Sequence, residues 1–388
     1  MMRQIKTISK KVIEREKVYL YSAGFNVDKK LNGIERIEEE IEDLKLLIKK
    51  KVKIILISHQ GSYKKKDTLH FDFLIKFLQK KLNTKIKYLK KIDFYTKKLS
   101  KKIKNGEILF LPNARFYEGE EKNSPKLGEK FSRLADYFII GGFSKAHRLN
   151  ASNNSLLKYK PAYLSNGIIK QINKIKPWAS PKKNSICILG GEKEEKISLG
   201  LKNLCKVYDY IIPSGVVLNT ILKSLKIEIG KSKHHKIKEL KLAKKIYNKF
   251  KRKIYLPELL LVSSNNNYKK FKKKNIYKIK CNENIVGFIL SKEMKKKLHF
   301  CVKNKSQILL AGTPSLMKFK AYSPTNEILK YLRSNKKNSL LLGGDTVSDL
   351  KYNGIKSSGG GSALYYLSNK MLPIIHIIYK NQKKFNVI

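Results

Sequence analysis

SLLLGGDTVSDL, residues 339–350, ends an apolar run at two glycines and an aspartate. Leu340, Leu341 and Leu342 fit a short strand covered on both faces, as in a parallel sheet, and Gly343, Gly344, Asp345 and Thr346 fit a turn into a helix. A helix starting there aims unpaired N–H groups and the positive end of its dipole beyond the sheet, and glycine lets a ligand approach the backbone closely. Phosphate is the favoured occupant of such a place. Taken alone, an ordinary strand-to-helix turn capped by Asp345 or Thr346 is the simpler reading.

Outward from this stretch, strand-like runs alternate with helical ones over most of the chain, which predicts parallel sheets joined by crossover helices. SICILGGEKEEK, YDYIIPSG, IYLPELLLV and QILLAGTP form one set with SLLLGGD, and VYLY, KIILIS, ILFLP and YFII form an earlier set. Between VYLY and KIILIS, Ile34, Ile37, Ile41, Leu44 and Ile48 recur at helical spacing, with Glu38, Glu39, Glu42 and Lys45 on the other side; this predicts an amphipathic helix with that stripe in the core. A polar stretch, a helical run and Pro177/Pro181 separate the two sets and predict a connecting helix. The lysine-rich residues 264–280 read as a loop or irregular insertion.

A chain of 388 residues, 41% hydrophobic, has room for two domains with their own cores. It has no apolar run long enough for a bilayer and its start lacks a secretory segment, so we expect a cytoplasmic protein without membrane partners. Cys187, Cys205, Cys281 and Cys301 lack metal-ligand spacing and read as reduced thiols. The formal net charge of +55 would attract polyanions at low salt. Lysine is nevertheless spread through nearly every segment, no nucleic-acid motif is present, and no specific nucleic-acid partner is expected.

In the first half, polar and basic residues fall where strands should end: Asn26 in GFNVD, Arg36 in ERIEEE, His59 in ISHQGS, Arg115 in LPNARF, and His147 and Arg148 in GGFSKAHRLNAS. Ligands of open α/β sheets sit beyond the carboxyl ends of strands, and arginine forks onto carboxylate or phosphate oxygens, so these residues suit a small anion. In the second half the strand ends are glycine-rich: Gly190 and Gly191 before Lys193 and Lys196; Gly343, Gly344 and Asp345; then Gly359, Gly360 and Gly361 opening another helix. Three such turns, two lysines and a carboxylate suit the phosphates and magnesium ion of a nucleotide. The GKS at 230–232 is no P-loop, because Leu225 stands where the first glycine belongs. No zinc helix or nucleophile elbow occurs, and His234 and His235 are expected to face solvent.

In order and spacing these segments resemble the phosphoglycerate kinase family, most specifically through LPNARFYEGEEKN, FSKAHRLNAS, CILGGEKEEKI, GGDTV and SSGGGSAL. The resemblance covers most of the chain. It implies an α/β fold of two doubly wound parallel-sheet domains joined by a hinge helix: residues 1–155 for phosphoglycerate, 156–183 as hinge, 184–372 for nucleotide, and 373–388 returning to the first domain. It further implies a monomer that exchanges a phosphoryl group between 1,3-bisphosphoglycerate and ADP, giving 3-phosphoglycerate and ATP in glycolysis, with Mg2+ on the nucleotide. Asn26, Arg36, His59, Arg115 and Arg148 would line the acid side, with Arg36 the catalytic arginine. Lys193 would follow the transferring group, with Gly344 and Gly360 as catalytic amides. Gly190, Gly191, Lys193, Lys196, Gly343, Gly344, Asp345, Thr346, Gly359, Gly360 and Gly361 would hold the nucleotide, and Asp345 the metal. The two lobes are expected to meet across one cleft and to close for turnover.

The chain departs from the family's pattern in several places. Gly24 stands where an aspartate contacts the substrate, Ser62 where an arginine does, and Gly141 where an acidic residue is expected. The glycine-lysine loop is one residue short, so placing Lys196 as its second lysine requires a deletion. LAGTPSLMKF, around Thr313, lacks the asparagine and ribose-binding glutamate of its counterpart. An alternative reading is therefore a catalytically impaired or inactive relative that binds nucleotide or polyanions.

Overall fold

The structure is a computed structural model that describes residues 2, 4–92, 102–264, 270–317 and 320–388. The chain divides into two compact units, Met1–Asn173 with Met371–Ile388, and Lys174–Lys370.

The first unit is built on β1 (Val18–Ser22), β2 (Lys53–Ile57), β3 (Ile86–Tyr88), β4 (Ile108–Phe110), β5 (Tyr137–Ile140) and β6 (Ala162–Leu164), all parallel in the order β3-β4-β2-β1-β5-β6. Tyr19, Tyr21, Ile54, Leu56, Phe110 and Ile139 belong to one buried cluster against which the helices Glu35–Lys49 and Asp72–Leu82 pack. A sheet covered by helices needs apolar residues throughout its strands, which is why these runs do not alternate.

The predicted stripe of helix Glu35–Lys49 lies on the core: Ile37 and Leu44 are buried and Ile41 and Ile48 pack against the same cluster, with Leu47 and two carboxyl groups, Glu40 and Asp43, buried beside them. One expectation for this unit is corrected. The connecting segment is not helical from residue 156: it contains β6, which pairs with β5, before the helix Asn166–Ile175 begins. The division between the units falls within that helix. The last helix, Pro373–Lys384, packs on the first unit, where Asn381 Oδ1 accepts from Ala162 N (2.9 Å) and Gln382 Oε1 from Lys6 N (2.9 Å).

The second unit contains β7 (Ile186–Leu189), β8 (Tyr210–Pro213), β9 (Leu259–Ser263), β10 (Lys272–Asn275), β11 (Asn284–Ile289), β12 (Ile308–Ala311), β13 (Ser339–Leu342) and β14 (Ile355–Ser357). Five form a parallel sheet in the order β14-β13-β12-β7-β8. The other three form an antiparallel sheet, β10-β9-β11. IYLPELLLV therefore supplies a strand outside the parallel sheet. Part of the expected lysine-rich loop is likewise strand β10; its residues 265–269 lie outside the described residues.

Candidate active site

Parallel order places all strand ends of one sheet on one edge. In the first unit, the loops after β1, β2, β4 and β5 carry Asn26, His59, Arg115 and Arg148 on that edge. Arg36, just inside the helix that follows β1, donates from Nη1 to the Asn26 carbonyl. Asn26 is exposed, and its Oδ1 accepts from Gly61 N (3.4 Å).

His59 is buried, and its imidazole is held well below its ordinary pKa by desolvation and then by the charges of Lys145, Arg115, Arg148 and Arg36. Burial and four cations thus favour the neutral form of the imidazole. Arg115 differs from Arg148 in exposure: it is 1% exposed and paired with Glu121, whereas Arg148 is exposed, with Nε 3.3 Å from His147 Nε2. Asn113 holds this corner together, accepting from Arg115 N (3.0 Å) and donating to the carbonyls of Gln60 (2.8 Å) and Leu69 (2.9 Å).

Ser62 changes how that corner is balanced. Its Oγ donates to Glu121 Oε2 (3.0 Å), which also accepts from Tyr63 N (2.9 Å). Burial alone would raise the Glu121 carboxyl; the Arg115 charge and these bonds outweigh it and hold the pKa below the ordinary value. The acid side also holds two residues that local sequence reading passes over. Lys145 is buried and donates to Ser22 Oγ (2.6 Å), and Glu40 is buried and accepts from Gly24 N (2.8 Å).

In the second unit the turns after β7, β12, β13 and β14 lie on the same edge of their sheet. Gly343 has φ +113°, which no ordinary side chain adopts without strain, and it precedes the helix Gly344–Asp349. A Cβ on Gly360, which opens the helix Gly360–Asn369, would lie 4.0 Å from Gly343 Cα, so the two helix starts adjoin. Two rows of backbone amides therefore begin side by side, as a phosphate chain requires. Gly359 and Gly361 flank Gly360 in that turn, and Thr346 is buried behind Gly343. Gly190 and Gly312 meet across β7 and β12: a Cβ on Gly312, itself at φ +112°, would collide with the Gly190 carbonyl.

Lys196 lies at the start of a π-helical turn, Lys196–Leu201, and its Nζ donates to the Ala311 carbonyl (3.2 Å). Its side chain packs beneath Gly191, and burial pushes the amine down to about 8, with Lys193 lowering it further and Asp345 opposing. Lys193, Lys196 and Asp345 are consequently within one another's field. Lys193 and Asp345 are exposed. The expected solvent exposure of His235 is wrong: it is buried, its Nδ1 2.8 Å from Thr220 Oγ1 and its Nε2 3.1 Å from the Glu192 carbonyl, and it braces the Gly191–Lys193 loop.

The donor set also bears on magnesium. Asp345 is an exposed carboxylate at the start of a glycine-led helix, with Asp349 close enough for its pKa to be raised by burial and then by Asp345. Among the described residues no group of three His, Cys, Asp or Glu side chains is placed to hold a metal. One carboxylate with room beside it fits an ion whose remaining ligands are nucleotide phosphates and water.

Basic side chains at the strand ends of one α/β unit and adjoining glycine-led helix starts on another are what a phosphotransferase with an anionic acceptor and a nucleotide would need. The phosphoglycerate kinase family model matches residues 9–370. Among curated relatives, the phosphoglycerate kinases of Buchnera aphidicola subspecies Baizongia pistaciae and Schizaphis graminum are 31% and 32% identical, covering 92% and 90% of this chain and 91% of each relative. That of Dictyoglomus turgidum is 30% identical over 92% of this chain and 94% of its own. Solved phosphoglycerate kinases of Coxiella burnetii (TM-score 0.73, 24% identity, 96% of this chain and 99% of that one) and Pyrococcus horikoshii (TM-score 0.79, 22%, 96% and 98%) share the fold. The chain belongs to the phosphoglycerate kinase family, phosphotransferases with a carboxyl group as acceptor. Matches of this length favour the enzyme over the impaired or inactive alternative.

Proposed function

We propose that the first unit binds 3-phosphoglycerate or 1,3-bisphosphoglycerate, that the second binds ATP or ADP with Mg2+, and that the residues named above carry the transfer. In the direction of ATP use, a carboxylate oxygen of 3-phosphoglycerate attacks the γ-phosphorus. The new O–P bond forms as the bond to the β,γ-bridging oxygen breaks, and ADP leaves with that electron pair. No proton moves. Catalysis then consists of alignment and of positive charge around the migrating group.

Arg36 and Arg148 supply charge to the acid, Asn26 orients it, His59 offers a neutral hydrogen-bonding partner, and Arg115 acts from below as a buried charge held by Glu121. Lys193 and Lys196 face the nucleotide's phosphates, and the amides of Gly191, Gly344, Gly360 and Gly361 are the donors for their oxygens, with Gly344 and Gly360 nearest the moving group; Gly190, Gly343 and Gly359 shape the turns, their own N–H groups donating to the Ala311 carbonyl, the Ser357 carbonyl and Ser357 Oγ, and Thr346 supports them. Asp345 would hold the magnesium ion, which when bound neutralises phosphate charge. Because donor and acceptor belong to different units, turnover requires the units to bring their ligands together, with the helix Asn166–Ile175 at the hinge. We read the protein as a cytoplasmic monomer; no helix among the described residues is long and apolar enough to cross a membrane.

The observation that carries this reading is the convergence of Asn26, His59, Arg115 and Arg148 on the strand ends of one parallel sheet, with Arg36 bonded to the Asn26 carbonyl. A coupled assay of purified protein tests it. Turnover with 3-phosphoglycerate and MgATP, lost in Arg36→Ala, is expected; no turnover at saturating substrates, or an Arg36→Ala variant equal to the parent, would overturn it.

A further inference from the structure

Gly24 and Gly141 stand where acidic residues are expected, and the structure shows what occupies the space. A Cβ on Gly141 would collide with Glu40 Oε2 and would lie 2.8 Å from Tyr21 Cε1 and 2.9 Å from its hydroxyl. A Cβ on Gly24 would be 2.6 Å from Gly142 Cα. Glu40 enters from a different element, the helix Glu35–Lys49, and takes a place among the core positions Ile37, Leu44 and Leu47. Its Oε1 accepts from Gly24 N (2.8 Å), and its fully buried Oε2 lies beside the Tyr21 hydroxyl, the donor placed to bond it.

A buried carboxylate is costly even when the Gly24 N–H and the Tyr21 hydroxyl serve its oxygens, unless a nearby charge also balances it. The cation that does so is Lys145, whose Cε lies 2.9 Å from where a Cβ of Gly142 would stand and whose Nζ donates to Ser22 Oγ (2.6 Å). Ser22 Oγ passes the chain to the Ser152 carbonyl (2.6 Å), and Ser152 Oγ donates to buried Glu120 (2.7 Å). Glu40, Glu120 and Arg115 are the charges that face Lys145, while Tyr21, Asp43 and Lys145 face Glu40. Burial pushes the carboxyl up and the amine down, and each charge opposes that drift in the other.

We propose that Glu40 is a transplanted carboxylate that, with Lys145, positions the acid-binding face: it clamps the Gly24–Asn26 turn on which Arg36 docks and balances the buried cation beneath His59. Glu40 touches no ligand and acts through Gly24 and Lys145, so it is a positioning residue. The inference rests on the first unit being the 3-phosphoglycerate site. Gly141 and Glu40 form one design, because only a residue without a side chain at 141 leaves room for the carboxylate.

Calorimetry and steady-state kinetics with 3-phosphoglycerate test the proposal. Glu40→Ala removes both clamp and charge and should raise KM for 3-phosphoglycerate about tenfold, with KM for ATP unchanged. Glu40→Gln keeps an acceptor for Gly24 N–H and should raise KM only about threefold. It should also move the alkaline rise of that KM to lower pH, since Lys145 loses the neighbour that keeps it protonated. This near-isosteric variant carries the test should Glu40→Ala fail to fold.

Gly141 has no positive φ, but a Cβ there would meet Tyr21 Cε1 at 2.8 Å and its hydroxyl at 2.9 Å even with Glu40 truncated, so any side chain at 141 displaces the buried Tyr21 ring as well as Glu40. Gly141→Asp in the parent, which forces Glu40 from its place, should raise KM for 3-phosphoglycerate about tenfold, with KM for ATP unchanged. An unshifted alkaline limb in Glu40→Gln, or an unchanged KM for 3-phosphoglycerate in Gly141→Asp, would overturn the proposal. Absence of 3-phosphoglycerate binding by the parent overturns the functional reading and this inference together; binding by the parent at an affinity the Glu40 variants share overturns this inference alone.

Discussion

In the function proposed above, the two units bind anions with different parts of the polypeptide. In the first, charge comes from side chains at the ends of four strands, and the fold must bury, pair or neutralise whatever charge the ligand leaves over: Arg115 has Glu121, Lys145 has Glu40 and Glu120, and His59 gives up its proton. In the second, the main groups are backbone amides at glycine turns, which carry no net charge and need no counterion. A side-chain site can therefore be rewired by moving a carboxylate from one element to another. A backbone site cannot, because the conformation of Gly343 is tied to its own turn.

The strongest way to break this contrast is Arg36→Ala, which removes side-chain charge from the reacting end of the acid. It should lower kcat about 10³-fold while the protein remains folded, measured by the coupled assay and thermal unfolding. Gly343→Ala probes the backbone side. Forcing a Cβ into φ +113° should destabilise the protein by ~1–3 kcal/mol and raise KM for ADP about tenfold, leaving KM for 3-phosphoglycerate unchanged.

A finer test uses pH. Lys196 loses its proton as pH rises through about 8, and a neutral amine no longer attracts phosphate, so KM for ADP should climb above that pH. Lys196→Met should raise KM for ADP at neutral pH and abolish this limb, whereas Lys145→Met should affect only the limb for 3-phosphoglycerate. The smallest effect is expected of Glu121→Gln, which loosens Arg115 without removing it: KM for 3-phosphoglycerate should change about threefold.

What could be read from residues alone follows the same division. Glycine turns after apolar runs are local signals, so SLLLGGD and SSGGGSAL announced helix starts, and helices do begin at Gly344 and Gly360. The basic residues at strand ends were visible one by one, and parallel topology turns them into a set. Glu40 was not visible as a site residue, because a glutamate among glutamates on an amphipathic helix looks solvated. Its burial depends on a helix turned so that 37, 40, 44 and 47 face the sheet, and on two glycines far away in sequence. Lys145 was hidden for the same reason in a chain with lysine nearly everywhere. IYLPELLLV shows a related limit: an apolar run predicts a strand, but the partner strands decide whether its sheet is parallel or antiparallel.

Amide hydrogen exchange of the full chain with one ligand at a time tests the division of labour most directly. With 3-phosphoglycerate, protection should rise around residues 23–27, 58–63, 113–117 and 145–150, and with MgADP around residues 190–196, 312–314, 343–346 and 358–361. Protection by both ligands in the same unit, or in neither set of turns, would contradict the account.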